Sequence, residues 1–292
     1  MLRTTFQAYA LGMTRDRQKQ LAETFRQAHR PPPTLLLPNA WDAMSARQFE
    51  AAGFGAVATT SGGVAWSLGF PDGERAPWQD VVAATERIVR AVRVPVTADI
   101  EAGYGETPDQ VGQRITEILQ TGVVGFNIED GTTSPDQPVR SIEDASARIR
   151  AARAAATTVG LPAVINARVD LYIKNVGDPA SRFVETVRRA KAYLAAGADC
   201  IYPFGLADVE IIERMVKALD HAPVNIVARP DTPLAALERI GVARVSIASG
   251  ATLAVMSMIK QIGEELYASR RFDMLKHSMT RPEAQALFKP RE

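Results

Sequence analysis

The 292-residue chain has one cysteine, Cys200, and three histidines. A lone thiol excludes an intramolecular disulfide and any multi-cysteine metal centre, and it fits a reducing, cytoplasmic compartment. Excess charge is also missing: 34 Lys and Arg stand against 33 Asp and Glu, a net of +1, with no basic run. That balance argues against nucleic acid or an anionic membrane as the main partner. No stretch has the length and apolarity of a membrane span, and MLRTTFQAYALGMTRDRQKQ at the N-terminus lacks the apolar centre of a signal peptide. No Gly-x-Gly-x-x-Gly follows an early strand, so the common dinucleotide fingerprint is absent. No linker rich in Pro, Gly or Ser divides the chain. It reads as one domain over residues 1–292, with 1–13 disordered ahead of a helical start at Thr14 and a helical tail over 270–292.

What is present is a repeated unit. The composition is 46% hydrophobic, enough for a sizeable core. After a helix over 14–29, with Leu21 and Phe25 on one side, short apolar runs alternate with helical stretches. The runs are 34–38, 56–60, 94–100, 125–129, 163–170, 199–203, 223–228 and 244–248. Each is followed by a helix: 43–52, 77–92, 107–120, 141–158, 178–196, 208–219, 233–240 and 251–268. The runs are continuously apolar rather than alternating, as buried parallel strands are. Eight successive units in about 250 residues predict an α/β fold of the (β/α)₈ TIM-barrel type, with an N-terminal helix and extra C-terminal helices. A doubly wound open sheet is the alternative.

Active sites of such barrels lie at the C-terminal ends of the strands. The third run, residues 94–105 (VPVTADIEAGYG), ends in two carboxylates, Asp99 and Glu101. Side chains two apart on a strand share a side, so these acids are expected to converge. Glu129 ends the next run. Like charges gathered this way repel one another unless a cation joins them, and a hard oxygen-bound divalent ion suits such a group. Arg168 is the cation expected at a strand end nearby, able to grip a carboxylate with two parallel bonds or else to neutralise Glu129 or Asp170. Ser61-Gly62-Gly63 offers backbone N–H groups free of bulky side chains, a cradle for an anion. Asn225 and Tyr202 stand on the later strands. Asp42, Asp130 and Asp170 read as helix caps or loop residues, and Cys200 as buried packing.

Five segments in this order resemble the isocitrate lyase/phosphoenolpyruvate mutase superfamily: TTSGG at 59–63, LGFPDGE at 68–74, ADIEAGYG at 98–105, NIED at 127–130 and INARVD at 165–170. The resemblance implies a barrel whose last helix is exchanged between subunits of a homodimer or homotetramer. It implies Mg²⁺, with Mn²⁺ as the substitute, and a small 2-oxo acid substrate. It casts Asp99 as the direct metal ligand, with Asp72, Glu101 and Glu129 holding the ion largely through water. Ser61 and Gly62 look like a carboxylate cradle and Arg168 like the clamp on the far end of the substrate; Gly63 and Asn225 become further substrate-binding residues, and water or Tyr104 the proton donor to an enolate.

One segment departs from that pattern. Isocitrate and methylisocitrate lyases carry Lys-Lys/Arg-Cys-Gly-His after the fourth strand. Here residues 131–138 read GTTSPDQP, without Cys, His or Lys. The metal-binding half of the site is kept, and the half that acts on the leaving group is not. The expectation is therefore a Mg²⁺-dependent lyase cleaving a C–C bond of a 2-oxocarboxylate. The alternatives are a C–P mutase or hydrolase, and a 2-oxo acid binding protein without catalysis.

Overall fold

Eight strand positions close into a ring in the computed structural model, which describes residues 13–289. The first position is one strand broken at Pro38 into β1 (Leu35–Leu37) and β2 (Asn39–Ala40); proline has no N–H to continue the ladder. The others are β3 (Val57–Thr59), β4 (Val96–Asp99), β5 (Gly125–Glu129), β6 (Val164–Val169), β7 (Cys200–Pro203), β8 (Asn225–Val227) and β9 (Arg244–Ser246). All pair in parallel. The order β2-β3-β4-β5-β6-β7 forms one arc and β1-β9-β8 the other. A parallel bridge between Ile201 and Val224 joins β7 to the start of β8. Since β1 and β2 are halves of one strand, the arcs close as the expected barrel.

The connecting helices are α2 (Ala43–Ala51), α3 (Ser61–Ser67), α4 (Trp78–Ala91), α5 (Pro108–Gln120), α6 (Ile142–Val159), α7 (Pro179–Ala195), α8 (Val209–Ala218), α9 (Leu234–Arg239) and α10 (Gly250–Glu264). Their starts follow from side-chain caps. Asp42, Thr107, Ser141, Asp178 and Asp208 each accept a first-turn N–H, which satisfies donors the helix itself leaves open. Asp42 is thus the cap expected of it. α3 was not expected, because Ser61-Gly62-Gly63 reads as a loop.

α1 (Arg15–Gln27) seals the barrel end opposite the strand C-termini. Gln18 Nε2 donates to the carbonyls of Leu119 and Val123 at 2.8 Å each, and Arg26 pairs with Asp199 at 2.9 Å. Val123 and Asp199 stand just ahead of β5 and β7. The expectation of disorder over 1–13 falls on residues outside the described range, apart from Met13, which packs partly buried on the core. At the other end of the chain, α10 runs out from the barrel. A π-helical turn (Glu265–Ser269), a 3-10 turn (Asp273–His277) and α11 (Arg281–Leu287) follow. α11 returns to the chain's own α2, where Arg47 Nε donates to the Leu287 carbonyl at 2.8 Å. Among the described residues, no helix is long and apolar enough to cross a membrane.

Candidate active site

A cavity of about 520 Å³ opens at the C-terminal ends of the strands, lined on its inner wall by Ser61, Asp72, Glu101, Glu129 and Arg168. Asp99, the last residue of β4, stands behind Ser61. Its backbone N–H donates to Thr59 Oγ1 at 2.8 Å, and its Oδ2 accepts the Ser61 N–H at 3.3 Å. Its Oδ1 is buried with no protein partner.

Asp99 and Glu101 do come near one another, but not through strand alternation. The strand ends at Asp99, and Glu101 sits in a left-handed turn at φ 53°. Two interactions hold its carboxylate: the Glu74 N–H donates to Oε2 at 2.8 Å, and the Tyr104 hydroxyl to Oε1 at 3.0 Å. Burial pushes the Glu101 carboxyl up to about 7, against the Glu74 N–H, with Asp72 and Asp99 adding to the rise. Burial and then the Asp99 charge also raise Asp72, which a hydrogen bond from Ser61 opposes. Burial raises Glu129 well above the usual carboxylate range, opposed by Arg168 and reinforced by Asp170, Asp99 and Glu101.

Arg168, near the end of β6, holds two carboxylates at once. Nη1 lies 2.6 Å from Glu129 Oε2, while Nε and Nη2 meet the two oxygens of Asp170 at 2.6 and 2.9 Å. The face of its guanidinium lies 4.0 Å from the centre of the Phe204 ring. Burial opposes its charge, yet Glu129 and Asp170 raise its pKa above that of an ordinary arginine. Two of the five guanidinium N–H donors remain for a ligand.

Other expected residues fall elsewhere. Gly62 and Gly63 are buried inside α3 and do not line the cavity. Their smallness serves packing: a Cβ on Gly63 would stand 2.6 Å from Thr252 Oγ1 and 2.8 Å from Trp41 Cβ. Asn225 lies wholly buried below the cavity, its Oδ1 accepting from Ser246 Oγ at 3.2 Å. Tyr104 is also outside the lining, against Trp78 with ring centres 5.0 Å apart. Burial, then Glu101, pushes its hydroxyl pKa far up, and the hydroxyl donates to Glu101. Asp130 and Asp170 are loop residues directly after β5 and β6, as expected, and neither caps a helix. Asp130 Oδ1 accepts the Asp170 N–H at 2.9 Å, and Oδ2 accepts from Arg189 at 2.9 Å and the Tyr193 hydroxyl at 2.7 Å. Cys200 is fully buried, and burial pushes its thiol up to about 12.

The outer wall holds Glu74 and Asp170, which the sequence places near the strand ends without a binding role, and Thr132, Thr133, Ser134, Arg140, Ile173 and Lys174, which it gives no role. Residues 131–139 form a short hairpin, closed by an antiparallel bridge between Gly131 and Val139. Arg140 Nη1 donates to the Gly131 carbonyl at 2.6 Å, and Lys174 Nζ to the Thr132 carbonyl at 2.9 Å. Gly131 must be small here, since a Cβ would lie 2.4 Å from Asp170 Oδ2. The Arg168 pairs with Glu129 and Asp170 are the alternative use of this arginine that the sequence offered. Nothing in the local sequence marks Arg140 or Lys174.

Among the described residues, no group of three or more His, Cys, Asp or Glu side chains gathers tightly enough to hold a metal ion by direct contact alone. The donor set still fits a small hard cation. It is entirely oxygen, Asp99 Oδ1 is buried and open, and Mg²⁺ keeps several waters while taking only one or two carboxylates.

Comparison with known proteins agrees with this architecture. The family model for phosphoenolpyruvate phosphomutase matches residues 25–267. A 2-methylisocitrate lyase of Halalkalibacterium halodurans is 31% identical over 226 residues, 74% of this chain and 71% of the relative. A lyase/mutase structure from Burkholderia cenocepacia superposes with a TM-score of 0.87 at 32% identity, covering 94% of this chain and 98% of the other. A 2,3-dimethylmalate lyase superposes with a TM-score of 0.80 at 26% identity, covering 91% and 94%. The chain belongs to the phosphoenolpyruvate phosphomutase family, within the PEP mutase/isocitrate lyase superfamily.

Proposed function

We propose that this protein is a Mg²⁺-dependent carbon–carbon lyase acting on a small 2-oxocarboxylate, with Mn²⁺ able to replace Mg²⁺. The observation that carries the reading is the open, buried Asp99 Oδ1 set among three further acids whose pKa values are raised. Asp99 would hold the ion directly, with Asp72, Glu101 and Glu129 reaching it through water. The ion would supply Lewis acidity that stabilises an enolate as the bond at C3 breaks. Ser61 and the two spare donors of Arg168 bind the substrate carboxylate, and Arg168 keeps Glu129 in place. Tyr104 holds Glu101 rather than delivering a proton. The lyases among the relatives, a 2-methylisocitrate lyase and a 2,3-dimethylmalate lyase, support C–C chemistry.

C–P mutase or hydrolase chemistry on a phosphonopyruvate-like substrate is the second reading. It needs cations near the departing group, and Arg140 and Lys174 meet that need. Oxaloacetate, methylisocitrate, isocitrate and phosphonopyruvate, assayed for pyruvate, glyoxylate, phosphate and phosphoenolpyruvate, separate the two: pyruvate or glyoxylate without phosphate is expected, while phosphate or phosphoenolpyruvate from phosphonopyruvate would favour C–P chemistry. Mg²⁺-dependent oxalate binding without any turnover would leave a 2-oxo acid binding protein. Asp99→Ala should abolish Mg²⁺-dependent oxalate binding in titration calorimetry; survival of that affinity would overturn the metal assignment.

We also propose that two or four copies assemble by exchanging α10. Leu253, Met256, Met258 and Ile259 on this helix are 47 to 63% exposed. An apolar groove of about 250 Å³, lined by Leu36, Phe49, Phe54, Leu234, Val245 and Ile247, lies between α2 and α9, where a barrel's eighth helix would pack. A partner's α10 would cover it, since apolar patches of this kind mark association surfaces. Light scattering should show a dimer or tetramer, and a monomer at micromolar concentration would sink the idea.

A further inference from the structure

The cavity's inner wall carries Asp72, Glu101 and Glu129 beside Arg168, while its outer wall carries Arg140 and Lys174, both from outside residues 131–138, beside Glu74 and Asp170. Both cations grip the neck of the hairpin through main-chain carbonyls, Arg140 at Gly131 and Lys174 at Thr132. Neither is used up. Lys174 makes one of the three hydrogen bonds its ammonium can give. Arg140 commits Nη1 to Gly131 and pairs Nε with Asp144 at 3.3 Å, which leaves its Nη2 donors. Burial and then the neighbouring Arg148 lower the Arg140 pKa, against the charges of Asp144, Glu74 and Glu129. Thr132, Thr133 and Ser134 add hydroxyls along the same wall.

We propose that Arg140 and Lys174 form a distal anion subsite, which binds a second negatively charged group, carboxylate or phosphonate, on the fragment that leaves C3. The subsite replaces the cationic side chains that the 131–138 loop lacks. Its cations come from the residue that follows the hairpin and from the turn after β6. The proposal rests on the reading that the inner wall binds a 2-oxo acid with a cation, and it deepens that reading by naming the far end of the substrate. A substrate ending in a methyl group, such as pyruvate, would leave the spare donors of both cations without an anionic ligand. A 2-oxo acid with an anion on C3 would reach from one wall to the other.

The test is competition for the Mg²⁺-loaded protein, read by titration calorimetry with oxalate, pyruvate, oxaloacetate and phosphonopyruvate. Oxalate and pyruvate occupy only the inner half. In Lys174→Met, affinity for oxaloacetate or phosphonopyruvate should fall about 10- to 100-fold, the range of a charge-assisted hydrogen bond, with oxalate and pyruvate within about twofold of wild type. Lys174→Arg should recover most of the loss, and Arg140→Gln should show the same selective pattern. Which of the two probes loses more identifies the group as carboxylate or phosphonate. Equal losses for all four ligands would mean that Lys174 only holds the hairpin, and no loss for any would mean that the outer wall binds nothing; either result overturns the subsite. Failure of wild-type protein to bind oxalate with Mg²⁺ would instead overturn the inner-wall reading.

Discussion

The two walls of the cavity are built by different means. The inner wall stands on strand ends: Asp99 closes β4, Glu129 closes β5 and Arg168 lies one residue from the end of β6. Glu101 is buried, Glu129 and Arg168 are largely buried and locked to one another, and Asp72 is exposed. The outer wall hangs on a hairpin and a turn, and its two cations grip main-chain carbonyls, with Arg140 also pairing with Asp144. Acids are therefore in excess on the inner wall, and cationic donors stay open on the outer one. The difference suggests a division of labour in which the inner wall sets the common chemistry and the outer wall sets what may leave.

That contrast has measurable consequences. Arg168→Met would strand Glu129 and Asp170, a buried ion cluster with one partner removed, and should cost about 3–5 kcal/mol in urea unfolding. A loss under about 1 kcal/mol would mean that the inner wall is no more locked than the outer.

Glu101 gives the next largest effect. Its folded value of about 7 lies above the ordinary glutamate value of 4.5. A raised carboxyl contributes stability that is fully present below pH 4.5 and lost as pH rises through 7. In metal-free protein this group alone should remove on the order of 3 kcal/mol across that window. The slope should flatten in Glu101→Gln, and Mg²⁺ should bind more tightly as pH rises and the carboxyl ionises. An equal pH slope in wild type and Glu101→Gln would remove the claim. On the outer wall, Lys174→Met should change stability by under about 1 kcal/mol, because its single bond to the hairpin is partly exposed to water.

Much of the barrel was legible in the chain. Continuously apolar runs mark parallel strands, and Asp42, Thr107, Ser141, Asp178 and Asp208 mark the helix starts by capping chemistry that acts over three residues. The acids were legible for a similar reason, since polar residues at the ends of apolar strands must collect on one rim. α3 was missed because Ser-Gly-Gly carries little helical propensity; its packing against Trp41 and Thr252 decides its conformation.

The sequence by itself determined the strand–helix alternation, the identity of Asp72, Asp99, Glu101 and Glu129 as neighbours, and the missing Cys, His and Lys in 131–138. The alternation follows from local periodicity and the grouping of Asp99, Glu101 and Glu129 from the rule that strand ends share a rim; the place of Asp72 beside them and the pattern expected of 131–138 come from the family resemblance. Only the tertiary structure decided that Glu101 turns in through a left-handed residue, that Arg168 is shared between Glu129 and Asp170, that Gly62, Gly63, Tyr104 and Asn225 lie off the cavity, and that Arg140 and Lys174 lie on it. Such placements depend on contacts between residues tens of positions apart, like Lys174 with Thr132, and no local pattern encodes a distance of that kind.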